Sequence, residues 1–311
     1  MNDFCYPHNP IGSLNKLADL LDISLDELID LQNNTDQYYR LVQKKPKSDG
    51  SFREIYDVEP RLKKVHSKIL DLFFKDLNYP DYLQGGIRKR DYLSDSKQHL
   101  NKKIIINEDV SNFFPSICEK VILQTWLKFF HFPKDVAECL TKLVSYKGFL
   151  VQGAKTSGYL CNVILWKREK KLYDYFKSNG FVYSRFVDDV TISTKRNIPN
   201  QEKTEIIRKV YGMFFSIGAK PNRKKHKIMP KGTVQKVHGI NVSTTVATFP
   251  KDEQKKIRSA VYECEQKYLK IPDAEYQSLF NSTKGRVHHI SRLNPEVAKR
   301  LLERLEKVKP T

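Results

Sequence analysis

Cysteine is scarce and scattered. Cys5, Cys118, Cys139, Cys161 and Cys264 stand far apart with no CxxC pair. That spacing excludes a disulfide scaffold and a zinc ribbon and leaves reduced, mostly buried thiols as the expectation. No apolar run approaches the roughly 18 residues needed to span a bilayer. The first residues, MNDFCYPHNP, lack the charged and then apolar layout of a signal peptide, so a cytoplasmic location is expected. Internal repeats and low-complexity linkers are missing as well, which makes the 311 residues subdomains of one body. Acids are the remaining shortage: 36 Asp and Glu face 55 Lys and Arg, a net charge of +19. Such an excess attracts polyanions. Nucleic acid, bound through phosphate neutralisation and counterion release, is the expected partner. An anionic membrane surface, the rival, usually needs a basic amphipathic helix or a lipidation signal, and neither is seen. What is present rules out disorder: 40% of the residues are hydrophobic and 11% aromatic.

Periodicity predicts a mixed α+β chain. Leu14, Leu17, Leu20 and Leu21, then Leu25, Leu28, Ile29 and Leu31, fall at helical spacing, and Ser24 with Glu27 forms a capping-box start. YYRLVQ and the basic, Pro/Gly-containing stretch KKPKSDGSFREIYDV predict a β-hairpin with a basic tip. A helix follows Pro60, then a Gly85-Gly86 loop. KIIINEDV (103–110) has the continuous apolar run of a buried central strand. Residues 119–146 are expected to be helical and 159–178 to form one long amphipathic helix. FVYSRF, VDD and VTIST predict strand, tight turn and strand. Residues 201–217 are helical, VQKVHGINV with TTVATFP a further hairpin, and the chain from Lys251 onward helical and polar.

Three acids stand out against this background. Asp109 closes an apolar strand, and Asp188-Asp189 lie in the turn of an apolar hairpin. Carboxylates at the ends of buried strands are expensive unless paired with cations or a metal. If the two strands are sheet neighbours, the three acids meet, and hard oxygen ligands suit Mg²⁺. Two such ions can clamp an in-line phosphoryl displacement. The alternative is a solvated turn dipeptide.

The motifs around these acids carry a resemblance. Phe186-Val187-Asp188-Asp189 resembles the YxDD box of reverse transcriptases, with Phe in place of Tyr. Asp109-Val110-Ser111-Asn112-Phe113-Phe114-Pro115-Ser116 resembles the preceding DxxxFF block. Gln152-Gly153-Ala154-Lys155-Thr156-Ser157-Gly158 resembles the QGxxxSP block between them. Asn222 and Lys225, in an NxxK pattern, and then Val237-His238-Gly239 complete the family order, and the similarity covers about residues 38 to 308. It implies a right-hand polymerase fold: an N-terminal helical extension (1–36), fingers (37–100), and a palm (101–245, with fingers elements about 119–150) whose antiparallel sheet packs on helices. A small helical thumb (246–311) follows.

The resemblance also implies roles. Asp109, Asp188 and Asp189 would be the catalytic acids and hold two Mg²⁺ ions, lowering the pKa of a primer 3′-hydroxyl and neutralising the leaving pyrophosphate. Phe114 matches the steric gate that rejects a ribose 2′-hydroxyl. Gln152, Gly153 and Phe186 would contact the incoming dNTP, and Arg53 would grip its triphosphate through the guanidinium fork. Lys44, Lys45 or Lys47 would assist, unless they form a solvated tip. Lys225 would donate a proton to pyrophosphate or contact a phosphate, and His238 reads as a surface or packing residue. Lys284, Arg286, His288, His289 and Arg292 lie on helices that would follow an A-form-like duplex, the alternative being a solvated face.

Among reverse transcriptases the chain resembles bacterial retron and related phage-defence enzymes, whose upstream NAxxH and downstream VTG elements are partly matched by Asp95-Ser96-Lys97-Gln98-His99 and Val237-His238-Gly239. QGxxxSG and FVDD depart from the usual QGxxxSP and YADD. A retron enzyme would use a structured non-coding RNA as template and priming 2′-hydroxyl, form a branched or processed RNA–DNA hybrid, and work with an effector protein. Two rivals are an RNA-binding scaffold that does not synthesise, against which the intact acids argue, and an RNA-dependent RNA polymerase, against which bulky Phe114 argues.

Overall fold

The computed structural model describes residues 4–47 and 50–310. In chain order the elements are α1 (Leu14–Leu21), α2 (Leu25–Asn33), β1 (Tyr39–Pro46), β2 (Phe52–Val58), α3 (Pro60–Ile69), α4 (Tyr92–Gln98), β3 (Ile104–Glu108), β4 (Val110–Ser111), α5 (Phe113–Ser116), α6 (Glu119–Lys128), α7 (Lys134–Val144), α8 (Ser157–Val163), α9 (Trp166–Ser178), β5 (Phe181–Phe186), β6 (Asp189–Thr194), α10 (Asn200–Phe215), β7 (Lys220–Pro221), β8 (Lys227–Pro230), β9 (Lys236–Val237), β10 (Ile240–Asn241), α11 (Lys251–Lys267), α12 (Asp273–Ser291) and α13 (Pro295–Glu306). The chain divides into two compact units. One takes the residues up to Tyr92 and Ile104–Ile228, the other Leu93–Lys103 and the chain from Met229 onward. The stretch expected as palm crosses that division.

In the first unit, Ser13 and Ser24 cap α1 and α2, each hydroxyl accepting from the backbone N–H three residues on. Their leucines bury one face. The basic hairpin pairs β1 with β2 from Tyr39↔Val58 to Pro46↔Phe52, with a bulge at Val42. Phe73, Phe74, Trp126, Phe130 and Phe132 form an aromatic core, with ring centroids 4.7–6.2 Å apart. The central sheet has the order β5-β6-β3-β8. Its strands β6 and β3 are nearly fully buried, as their β-branched runs require.

Residues 119–146 are helical as expected, as α6 and α7 parted at Phe129–Pro133, where His131 has φ +58. The expectation of one long helix over 159–178 is corrected. Residues 159–178 are split between α8 and α9. In the second unit, β9 and β10 form a two-residue ladder, and α11, α12 and α13 pack as three helices around Val261, Phe280, Val287 and Leu305. The bidentate Arg304–Glu265 pair (2.7 and 2.6 Å) ties α13 to α11. All five cysteines are free thiols, Cys5 exposed and Cys139, Cys161 and Cys264 buried.

Candidate active site

The sheet register positions the acids. β3 runs antiparallel to β6 with Glu108 opposite Val190, so the next residue on one strand, Asp109, faces the start of the other, Asp189. β5 and β6 close at Phe186↔Asp189, leaving Val187-Asp188 as a two-residue turn. Asp188 therefore stands at the same sheet end as Asp109. Burial and the neighbouring charge of Asp109 raise the Asp188 pKa above the ordinary carboxylate value, while Lys225 and Arg53 pull the other way. Asp109 itself is buried. Asn222 Nδ2 donates to its Oδ1 (3.0 Å) and Lys225 Nζ to its Oδ2 (2.9 Å). The backbone N–H of Asn222 donates to the Asp109 carbonyl at 2.7 Å. Burial lowers the Lys225 pKa, but the hydrogen bond to Asp109 and the charges of all three aspartates outweigh it and hold the ammonium above its usual value.

Among the described residues, no group of three or more His, Cys, Asp or Glu side chains is gathered tightly enough to grip an ion without movement. The donor set nonetheless fits a hard divalent cation: carboxylate oxygens from two strand ends, two of them repelling each other in a buried setting.

The other expected site residues divide into two groups. Arg53 is on exposed β2, opposite Lys45, and its charge reaches Asp188. Of the three hairpin lysines, Lys44 pairs with Glu54 at 3.2 Å, whereas Lys47 Nζ donates to Asn112 Oδ1 at 2.6 Å, at the head of α5. Half-buried Phe114 lies on α5 with its ring 5.7 Å from that of Phe113. The Gln152 carbonyl accepts from the Tyr56 N–H (2.9 Å). Gly153, at φ +111, lies so close to β2 that a Cβ would fall 2.0 Å from the Tyr56 carbonyl oxygen. Phe186 ends β5 beside the acidic turn. Arg53, Phe114, Gln152, Gly153, Phe186 and Lys225 thus all belong to the unit that holds the acids.

The five basic helix residues belong to the second unit. Arg286 and His289, with Ser282 and Gly285, line a cavity of about 590 Å³ against Lys256 and Ile257 of α11. His288 and Arg292 are exposed, and Lys284 is turned to Glu306 (3.5 Å) of α13. In the same unit His238 is a packing residue, its Nε2 2.6 Å from Asp95 Oδ2.

Sequence reasoning missed what lies beneath the acidic turn. Arg185 is 1% exposed. Its Nε and Nη2 donate to the two oxygens of buried Glu169 on α9 at 2.6 and 2.7 Å, and the Tyr183 hydroxyl donates to the same carboxylate at 2.8 Å. The Arg185 Nη1 donates to the carbonyls of Val187 (2.8 Å) and Cys161 (3.1 Å). Gly85 is pressed against the turn from outside, since a Cβ there would stand 2.6 Å from Val187 Cγ2. The available signal was an arginine inside an apolar strand, which demands a buried acid. Next to Asp109, buried Glu108 meets His226 Nδ1 at 2.6 Å.

Comparison with known proteins gives the family. The family described as reverse transcriptase (RNA-dependent DNA polymerase) matches residues 43–258, and the chain belongs to that family and has its α+β polymerase fold. Within it the chain is of the retron type. It is 31% identical to the retron Se72 reverse transcriptase of Salmonella heidelberg, over 100% of this chain and 83% of that protein. It is 30% identical to the retron Ec48 reverse transcriptase of Escherichia coli, over 97% and 77%. Among solved structures, the telomerase from Candida albicans aligns with 89% of this chain and 58% of that chain, at 10% identity and a TM-score of 0.48. The family makes DNA on an RNA template and generally uses divalent metal ions. No helix of the described residues is long and apolar enough to cross a membrane.

Proposed function

We propose that this chain is a retron reverse transcriptase that extends a primer with dNTPs along a structured non-coding RNA, through Asp109, Asp188 and Asp189. The observation that carries this reading is the antiparallel register of β3 with β6, which sets Asp109 across from the Asp188-Asp189 turn. Two Mg²⁺ ions held by these carboxylates would supply the charge that activates the primer 3′-hydroxyl and neutralises the leaving pyrophosphate. Arg53, on the basic hairpin, whose charge reaches Asp188, binds the triphosphate, assisted by Lys47. Gln152 and Gly153 form the nucleotide floor, Phe186 packs beside the acids, and the Phe114 ring excludes the ribose 2′-hydroxyl. Lys225, kept protonated by the three aspartates, is placed to give a proton to the departing pyrophosphate.

The fingers, palm and thumb assignments go with this reading, as do RNA contacts by Arg286, His288 and His289 on α12 and Arg292 just after it. Lys284 contributes less, being paired with Glu306. The relatives named as retron enzymes support the retron reading. With that reading go a non-coding RNA template primed from a 2′-hydroxyl, an RNA-linked single-stranded DNA product, and a role in phage defence with an effector protein in the cytoplasm. Primer extension tests the chemistry: purified protein with primed RNA, Mg²⁺ and labelled dNTPs yields DNA, and Asp188→Asn lowers the rate by about a thousandfold. A parent protein that binds RNA yet extends no primed template, its co-purifying RNA included, is a scaffold instead. Sequencing the nucleic acid that co-purifies identifies template, priming site and product together.

A further inference from the structure

The exposed side of α10 has no role in the site above. Arg208, Tyr211, Gly212 and Phe215 fall at i, i+3, i+4 and i+7 along it, on one side, while Ile206, Val210, Met213 and Phe214 are buried. Phe215 is 57% exposed although its neighbour Phe214 is 1% exposed. The Tyr211 ring stands edge-on to it at 6.5 Å. Tyr211 is half-buried; burial, the charge of Glu108 and the hydrogen bond to it raise the phenol pKa, while Arg223, in the loop after β7, is near enough for its charge to oppose them. Arg223, Lys220 and Lys224 are exposed. Gly212 is the unexpected member. Glycine is the poorest helix former after proline, yet a Cβ at this position would meet nothing within 4 Å. No packing inside the chain explains it.

Charge narrows the choice of partner. Between Glu205 and Asp252 the sequence holds no Asp or Glu at all, so its cations can meet acids only from elsewhere in the chain, as Lys225 does at Asp109 and His226 at Glu108. A second copy of the chain fits poorly, because a two-fold contact would set like charges against each other around a single ring. An exposed aromatic ring beside exposed cations is the chemistry of unpaired nucleic acid: bases stack on rings and phosphates meet guanidinium groups. A polymerase directed by RNA must also hold template that is not yet paired.

We propose that the Arg208–Tyr211–Gly212–Phe215 stripe with Arg223 is a binding surface for an unpaired RNA segment. Bases stack on Phe215 and Tyr211, phosphates pair with Arg208 and Arg223, and the missing side chain at Gly212 admits the sugar–phosphate backbone close to the helix. This needs only an RNA template, not the retron assignment.

The test uses the full chain with its polymerase cleft saturated by a short preannealed RNA–DNA primer–template. Fluorescence anisotropy then reads binding of a labelled unpaired RNA of about twelve nucleotides. Phe215→Ala and Arg208→Gln weaken that binding about tenfold, while extension of the short primer–template is unchanged. Gly212→Ala gives effects of opposite sign: the protein melts about 2 °C higher but binds the RNA more weakly. A 4-thiouridine RNA crosslinks within residues 208–224. Three outcomes overturn the proposal: unchanged RNA affinity in Phe215→Ala and Gly212→Ala, loss of short-template extension in step with RNA affinity, or loss of a self-association equilibrium in Phe215→Ala. A wild-type protein that binds this RNA through the stripe but extends no primer refutes the polymerase site assignment and leaves the stripe standing.

Discussion

Asp188 sits on a strained support. Val187, the other residue of its turn, has φ +60, a left-handed conformation that a β-branched residue adopts only when its surroundings compel it. The surroundings are known here: Gly85 presses on Val187 from one side, and the Arg185 guanidinium holds the Val187 carbonyl from the other. Arg185 can do so because Glu169 neutralises it in a site closed to water. In Glu169→Gln the guanidinium keeps its charge and loses its counter-ion, which costs about 3–5 kcal/mol. Chemical denaturation measures the loss, and a change under about 1 kcal/mol would show that the pair does not support the turn. In the proposed reading Phe114 acts on specificity rather than stability. Phe114→Ala raises ribonucleotide incorporation relative to dNTPs by about tenfold, read from competitive primer extension; unchanged discrimination would remove the ring from the gate.

At the scale of elements, the basic hairpin is anchored where β2 meets the Gln152-Gly153 loop. The Tyr56 N–H donates to the Gln152 carbonyl, and the Tyr56 carbonyl occupies the space a Cβ of residue 153 would fill. Gly153→Ala must therefore push β2 away, and since Arg53 rides on that strand, the expected result is a KM for dNTPs raised about tenfold or more. Steady-state kinetics checks it, and an unchanged KM would mean that the hairpin is positioned by other contacts. The acids and the hairpins were legible in the sequence because each leaves a local mark: a β-branched run, a turn dipeptide, a carboxylate at the end of an apolar strand. The break between α8 and α9 left none. Apolar periodicity runs through it, but the Cys161 carbonyl at the end of α8 faces Arg185 Nη1, a partner 24 residues away in sequence. The Arg185–Glu169 pair was illegible for the same reason, since it exists only once β5 lies on α9. Lys284 was legible only in part: a basic residue in a basic run reads as an RNA contact, and the helix packing that also sets it 3.5 Å from Glu306 on α13 leaves no local mark in the sequence.

The whole molecule carries +19 charges, and its solubility and attraction to polyanions follow from that field. Its tolerance of acid is decided instead by a few groups that the fold removes from water. His66 is fully buried, its Nε2–H donating to the Leu143 carbonyl at 2.7 Å. Burial pushes its pKa down from 6.5 to about 4, although the bond to Leu143 opposes the shift. His99, in the other unit, is likewise lowered by burial to about 4, against the raising effect of Asp95. Between about pH 6.5 and 4 the unfolded chain therefore binds protons at these two histidines that the folded chain refuses. Stability is unaffected by them above pH 6.5, falls as the pH drops through that window, and levels off below 4. The loss amounts to about 3 kcal/mol for each histidine. His66→Gln retains a donor for Leu143 and cannot be protonated, so it should remove about half of the decline. Urea denaturation of both proteins at intervals from pH 7 to pH 4 reads the difference directly, and parallel stability–pH curves would mean that His66 is already open to protons in the native state.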